Sequence, residues 1–311
     1  MKKLMVTGGL GFIGSYFIDM ALKSGYYVVN VDKKTYAARE DLDFDTRKHY
    51  ELIEADIVEL THLPVGIDAI VNFAAESHVD NSILANHDFF HSNVKGVYNL
   101  LELIRAKDET DQPLLLHIST DEVYGTAHEG AYTELDRLKP SNPYSGSKAA
   151  ADQLILGWKH TYGLPVLICR SCNNYGYGQY PEKLLAKTIE HLLRGRKMTV
   201  HGDGTYRREW IYAEDNCRGI MTVLEKGTPG QIYNISSAEE HSVLDAVRMI
   251  VEEMGVKEED AIVHIPNRPG QDLRYSVDCA KVRALGWEPE MTLRKYIPEY
   301  IRLYKKKLSH E

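Results

Sequence analysis

Eight residues near the start, Thr7-Gly8-Gly9-Leu10-Gly11-Phe12-Ile13-Gly14, constrain this chain more than any others. They follow a short apolar run and open a helical pattern, so they form the turn between a first strand and a first helix. Glycines at 8, 11 and 14 let the backbone approach a ligand closely, and the helix N-terminus offers N–H groups to a pyrophosphate. An acidic residue, Asp32, ends the next apolar run, eighteen residues past Gly14. Together these features point to a dinucleotide-binding unit. A carboxylate at Asp32 accepts ribose hydroxyls and repels a 2′-phosphate, which favours NAD over NADP. Lys33 and Lys34 oppose that reading, because cations there could hold such a phosphate. Asp56-Ile57, after the third strand, is placed to meet the adenine.

Further apolar runs extend the pattern. Strands are expected at Leu4–Thr7, Tyr27–Asp32, Glu51–Ala55, Ala69–Ala74, Leu114–Ser119 and Val166–Cys169. They show no strict alternation, as suits strands covered on both faces. Helices are expected at Ile83–Lys107 and Tyr144–Tyr162, with shorter ones near Glu182–Arg194, Ala213–Lys226 and Val243–Met254. The fold class is therefore α/β: a Rossmann-type, doubly wound parallel sheet with a smaller C-terminal substrate-binding lobe. Residues 1–172 should form the dinucleotide-binding domain, with some later chain returning to its sheet. Residues 173–311 should form mainly the lobe, because segments such as HGDGTYRREW and NRPGQDLRY read as binding loops.

Composition narrows the function classes. The 311 residues are 43% hydrophobic and 26% charged, an ordinary globular mixture. A net charge of −8 argues against a general nucleic-acid binder. No uncharged apolar run approaches the ~18 residues of a membrane span. MKKLMVTGG reads as a strand start, not a signal peptide. Four cysteines suggest reduced thiols and a cytoplasmic location. Cys169 and Cys172 lack further zinc ligands, and so do His87 and His91, so no metal is expected.

Tyr144 and Lys148 are spaced i, i+4 on one helix face, behind Pro143 in the first turn. A nearby ammonium lowers a phenol pKa toward a useful base. Thr120 ends the fifth strand, so the topology brings all three residues to one sheet edge.

On these motifs the chain resembles the extended short-chain dehydrogenase/reductase family. GGLGFIGS, Asp32, AAESHVD (Ala74–Asp80), STDEVYG (Ser119–Gly125), NPYSGSK (Asn142–Lys148), NNYG (Asn173–Gly176), PEKL (Pro181–Leu184) and RPGQDLRY (Arg268–Tyr275) carry the resemblance. Within the family it is similar to the dTDP-glucose 4,6-dehydratases, and the specific feature is Thr120-Asp121-Glu122. Eliminating water across C5–C6 of a hexose requires an acidic C5–H, which oxidation at C4 provides. One group must then take the C5 proton while another protonates the leaving C6 hydroxyl, and two carboxyls in different environments can do both.

The resemblance implies the following roles. Tyr144 takes the C4 hydroxyl proton and Thr120 binds the C4 oxygen. Lys148 lowers the tyrosine pKa and holds the nicotinamide ribose. Glu122 is the C5 base and Asp121 the acid. NAD would contact Gly8, Gly11, Phe12, Ile13, Gly14, Asp32, Lys33, Thr35, Asp56, Ile57, Ala74, Ala75, Ser92, Tyr144 and Lys148. The nucleotide sugar would contact Ser77, Thr120, Asn173, Asn174, Lys183, Leu184, Arg208, Arg268 and Arg274. A homodimer through an intersubunit four-helix bundle is also implied. Gln271 and Leu273 replace a His and an Arg usual in RPGHDRRY, and NNYGYGQYPEKL departs from NNYGPYQFPEKL. These departures leave the base and sugar open. The alternatives are a 4-epimerase or decarboxylase of the same family, and a catalytically silent NAD-binding protein.

Overall fold

The computed structural model describes residues 1–267 and 269–309. Its strands are β1 (Lys3–Thr7), β2 (Tyr27–Asp32), β3 (Tyr50–Glu54), β4 (Ala69–Asn72), β5 (Leu114–Thr120), β6 (Val166–Ser171), β7 (Asn173–Tyr175), β8 (Met198–His201), β9 (Arg207–Tyr212), β10 (Ile232–Ile235), β11 (Glu240–Ser242) and β12 (Ile262–Ile265). Seven of them form one sheet in the order β10-β6-β5-β4-β1-β2-β3, and every pairing is parallel. The six strands expected from sequence are all there, within one or two residues at each end. β10 is the seventh, supplied by the second half of the chain.

Successive residues of each strand face opposite layers. Leu4 and Val6 of β1 pack with Phe17 and Ile18 of helix Phe12–Lys23 and with Ile220 and Val223 of helix Ala213–Lys226. Met5, between them, packs on the other face with Leu100, Leu101 and Ile104 of helix Gly96–Arg105 and Ile155 of helix Pro143–Tyr162. A separate core, including Leu185, Ile189, Trp210, Val247, Ile250 and Tyr300, builds the lobe around helices Leu184–Leu193, Val243–Glu253 and Leu293–Leu308. The small sheets β11-β9-β7 and β12-β8 belong to it.

One expected helix is corrected. The stretch Ile83–Lys107 is not continuous: it divides into helices Val79–Leu84 and His87–Phe90, a π-helical turn His91–Lys95, and helix Gly96–Arg105. Side-chain bonding to neighbouring segments accompanies the wide turn. Asn93 holds both the amide and the carbonyl of Glu76 and reaches Ser147 Oγ at 2.8 Å. Ser92 accepts from Lys33 at 3.0 Å. π-turns occur frequently at such functional junctions.

Helix Pro143–Tyr162 begins one residue before its expected start. Asn142 and Ser145 cap each other reciprocally, and Pro143 fills the first turn, where its missing N–H costs nothing. That cap places Tyr144 in the first turn and Lys148 one turn later, under the carboxyl end of β5. The strand order reverses between β2 and β4 around β1, and the crevice at such a point is where ligands bind in open α/β sheets.

Candidate active site

The crevice is a continuous cavity running from the glycine turn to the loop before helix Leu184–Leu193. All fifteen residues expected to hold a dinucleotide line it: Gly8, Gly11, Phe12, Ile13, Gly14, Asp32, Lys33, Thr35, Asp56, Ile57, Ala74, Ala75, Ser92, Tyr144 and Lys148. The three glycines divide their work. Gly8 sits at φ +68°, where a Cβ would come within 2.6 Å of the Ala74 backbone nitrogen, and a Cβ on Gly14 would strike the Gly8 carbonyl. Those two are required by internal packing. At Gly11 the nearest atom to an added Cβ is the Gly8 carbonyl oxygen, 3.2 Å away, so that position opens toward the cavity.

Asp32 accepts the Leu10 amide on one carboxylate oxygen (2.9 Å) and the Lys34 amide on the other (2.8 Å). Each oxygen keeps a lone pair for a further donor. The lysines that could have welcomed a 2′-phosphate are paired with acids: Lys34 with Glu54 at 2.7 Å, and Lys33 with Asp56 at 3.4 Å. The donor set fits NAD.

At the other end, β5 runs into a short turn, Asp121–Tyr124, capped by the Thr120 hydroxyl. Thr120 Oγ1 donates to Asp121 Oδ1 (3.2 Å), accepts from the Glu122 amide (3.3 Å) and adjoins the Tyr144 hydroxyl. Asp121 is buried, and its Oδ2 has no protein partner. Burial first, then repulsion from Glu122 and Glu209, holds its carboxyl well above the usual carboxylate range. It is therefore set up to carry a proton.

Tyr144 and Lys148 meet the sheet edge as expected, but their coupling is different. Burial, then Glu122, raises the Tyr144 pKa, and only the Thr120 hydrogen bond opposes this. The Lys148 ammonium turns toward β5 instead, donating to the Ile118 carbonyl (2.7 Å) and lying 3.2 Å from His117 Nε2. Burial lowers its pKa to about 8. His117 in turn meets Asn72 (3.0 Å), which accepts from Thr7 at the foot of the glycine turn (2.5 Å). Lys148, expected to lower the tyrosine pKa, is not among the groups that shift it here.

Of the expected sugar-nucleotide residues, Ser77, Thr120, Asn173, Asn174 and Lys183 line the cavity. The side-chain oxygens of Asn173 and Asn174 are buried without a protein partner. Leu184, Arg208 and Arg274 are not brought to the lining. Leu184 packs against the lobe core. Arg208 is tied to the carbonyls of Arg207 and Asp272 and stacks over Tyr275 at 4.1 Å. Arg274 is engaged by Glu240 and the Gly130 carbonyl, both at 2.6 Å. Arg268 lies outside the described residues. Sequence reasoning did not single out four other lining residues, Glu76, Gln179, Tyr180 and Glu182. Glu76 sits inside AAESHVD and Glu182 inside PEKL, so those motifs could have found them.

Comparison with known proteins agrees with this geometry. The family described as GDP-mannose 4,6 dehydratase matches residues 5–300. A low-salt glycan biosynthesis protein of Haloferax volcanii, Agl12, is 43% identical over 307 residues, covering 97% of this chain and 98% of that one. A dTDP-glucose 4,6-dehydratase of Haemophilus influenzae is 38% identical, with 98% of each chain covered. The dTDP-glucose 4,6-dehydratase DesIV from Streptomyces venezuelae, solved with NAD bound, superposes with a TM-score of 0.92 at 36% identity, covering 98% of this chain and 97% of that one. A UDP-glucuronic acid 4-epimerase from Bacillus cereus, solved with NAD and UDP-glucuronic acid, superposes at 0.91 but is 27% identical, covering 98% of this chain and 99% of that one. By its glycine turn, its Tyr-Lys pair and its match over nearly the whole length, the chain belongs to the GDP-mannose 4,6-dehydratase family of extended short-chain dehydrogenases/reductases.

Proposed function

We propose that this protein uses NAD to convert a nucleotide-diphosphate hexose, dTDP-glucose above all, into its 4-keto-6-deoxy form by removing water across C5–C6. The observation that carries the proposal is the acid pair beside Thr120: Asp121 buried and favouring its proton, Glu122 open to the cavity. Both carboxyls act on the Tyr144 hydroxyl through space, which supports their sharing one site with it.

Gly8 to Gly14, Asp32, Asp56 and Ile57 would hold the adenosine diphosphate part of NAD, and Tyr144 and Lys148 the nicotinamide end. When bound, NAD supplies the site that takes the C4 hydride and returns it at C6, and a positive charge that favours the Tyr144 phenolate. Tyr144 takes the C4 hydroxyl proton while Thr120 binds the C4 oxygen. Glu122 removes the C5 proton, and Asp121 protonates the C6 hydroxyl as it leaves. Because the C4 ketone persists in the product, one turnover leaves Tyr144 with an extra proton and Asp121 without one. The Thr120 hydroxyl donates to Asp121 and adjoins Tyr144, so it can pass that proton back and restore the starting state.

An epimerase would return both hydride and proton to C4 and would need no such pair. That reading is favoured only by the close superposition on the UDP-glucuronic acid 4-epimerase. Incubation with dTDP-, UDP-, GDP- and CDP-hexoses tests the proposal. A 4-keto-6-deoxy product from one of them supports it, and a C4-epimer would replace it.

Residues 1–172, with the later chain that supplies β10, form the dinucleotide half in this reading, and the remainder mainly the sugar-nucleotide lobe. The protein would work as a homodimer in the cytoplasm. Helices Gly96–Arg105 and Pro143–Tyr162 expose Tyr98 and Tyr162, aromatic side chains suited to an intersubunit four-helix bundle. Its four cysteines are free thiols, as a reducing compartment would keep them. Light scattering at micromolar concentration should report twice the 35.4 kDa chain mass.

A further inference from the structure

Tyr275, behind the cavity wall, connects Glu122 to the protein surface. Its side chain is buried, with the ring under the Arg208 guanidinium. Its hydroxyl donates to Asp272 Oδ2 at 2.6 Å, and its oxygen lies 3.4 Å from Glu122 Oε2. Asp272 is also buried and accepts hydroxyl hydrogens from Thr126, at 2.7 Å, and from Ser141. Ser141 is exposed. The oxygens of Glu122, Tyr275, Asp272 and Ser141 thus form an unbroken line from the cavity to solvent. The line brings together STDEVYG, RPGQDLRY and the residue before Asn142, three segments far apart in sequence.

We propose that this line is the proton path between Glu122 and solvent while the sugar covers the cavity. The proposal rests on the dehydratase reading. While Glu122 is ionised, the single hydrogen of Tyr275 is committed to Asp272, and the contact with Glu122 is long. When the C5–H bond breaks, the proton moves to Glu122 and the electron pair stays on the sugar as the enolate of the C4 ketone. Glu122 then has a hydrogen to donate and Tyr275 an oxygen lone pair to receive it. The proton passes to the Tyr275 oxygen as Tyr275 gives its own to Asp272, and Asp272 releases one to water through Ser141. The reverse sequence brings a solvent proton back for delivery to C5. No electrons move along the path. Burial, then Glu122, keeps the Tyr275 pKa far above its ordinary value, so it acts as a neutral relay and not as a phenolate.

The test is a single turnover of the holoenzyme with its hexose substrate in D₂O, reading protium against deuterium at C5 of the product. That ratio is a property of each product molecule and does not depend on how much enzyme is folded. The parent should place solvent deuterium at C5. Tyr275→Phe keeps the ring over Arg208 but breaks the line, and its product should retain severalfold more of the original protium. Ser141→Ala, at the exposed end, should shift the ratio the same way. If both variants give the parent's ratio, Glu122 exchanges through the cavity itself and the path is overturned while the dehydratase reading stands. If the parent makes no 4-keto-6-deoxy product from any of the nucleotide hexoses, the function and the path fall together.

Discussion

Replacing Asp121 by Asn tests the proton on which the elimination depends, and it does so without substrate. Asn keeps the shape and can still accept from Thr120, but it cannot titrate. Asp121 is 2% exposed, and its carboxyl is held well above the ordinary range by burial and by two neighbouring carboxylates. A carboxyl whose pKa is raised in the fold binds its proton more tightly there than in the unfolded chain. Its stabilising contribution is therefore full below the unfolded value of ~3.9 and is lost as pH rises toward the folded value. Within that window the parent should lose about 1.4 kcal/mol per pH unit relative to Asp121→Asn. Urea denaturation of both proteins at pH 5, 6 and 7 measures the difference directly. The Asn variant should gain on the parent as pH rises from 5. It should also lose dehydration by about 10²–10⁴-fold, the usual worth of a placed general acid. A stability difference that stays flat from pH 5 to 7 would mean Asp121 is already ionised in the fold, and the assignment of the acid would be wrong.

Glu122→Gln should lose dehydration by a similar ~10²–10⁴-fold, and fluorescence titration should show NAD binding unchanged, since Glu122 stands apart from the glycine turn. Tyr144→Phe should block the first hydride transfer, so mixing with substrate should produce no rise in absorbance at 340 nm. Arg170→Met leaves buried Asp152 without the partner that now sits 2.9 Å away, and chemical denaturation should show a loss of about 3–5 kcal/mol.

The parts legible in the sequence were those where local chemistry and tertiary need agree. Tyr27–Asp32 is continuous, β-rich and ends in an acid, and its expected bounds match the strand to the residue. Helix Ala213–Lys226 was equally plain. The helix expected over Ile83–Lys107 misled because its composition is helical throughout, whereas its path is set by Asn93, which bonds to Glu76 and Ser147 and so to segments remote in sequence. β7, β9 and β11 escaped notice because strands of three to six residues rich in Arg, Glu and Asn lack a period long enough to see. Thr120, Tyr144 and Lys148 were legible from their spacing and strand positions, and Asp121 and Glu122 from the family resemblance. His117 was not, because a single polar residue inside an apolar strand has no local signature, and its contact is with Lys148, thirty-one positions away.

The tyrosines along the last helix have a consequence for the order in which the protein can come into being. Tyr296 accepts the Tyr177 amide at 3.2 Å, Tyr304 donates to the Gln179 carbonyl at 3.0 Å, and Tyr16 reaches from the first helix to the Tyr177 carbonyl at 3.0 Å. Their rings meet in edge-on and tilted pairs from Phe12 through Tyr16, Tyr212, Tyr296 and Tyr300 to Tyr304. The loop they grip supplies Gln179, Tyr180, Glu182 and Lys183 to the cavity. On the ribosome, the glycine turn and its first strands emerge early, but this wall of the cavity lacks its bonds to Tyr296 and Tyr304 until residues near 304 have left the exit tunnel. A nascent chain can therefore assemble its glycine turn and first strands long before this wall of the cavity is complete.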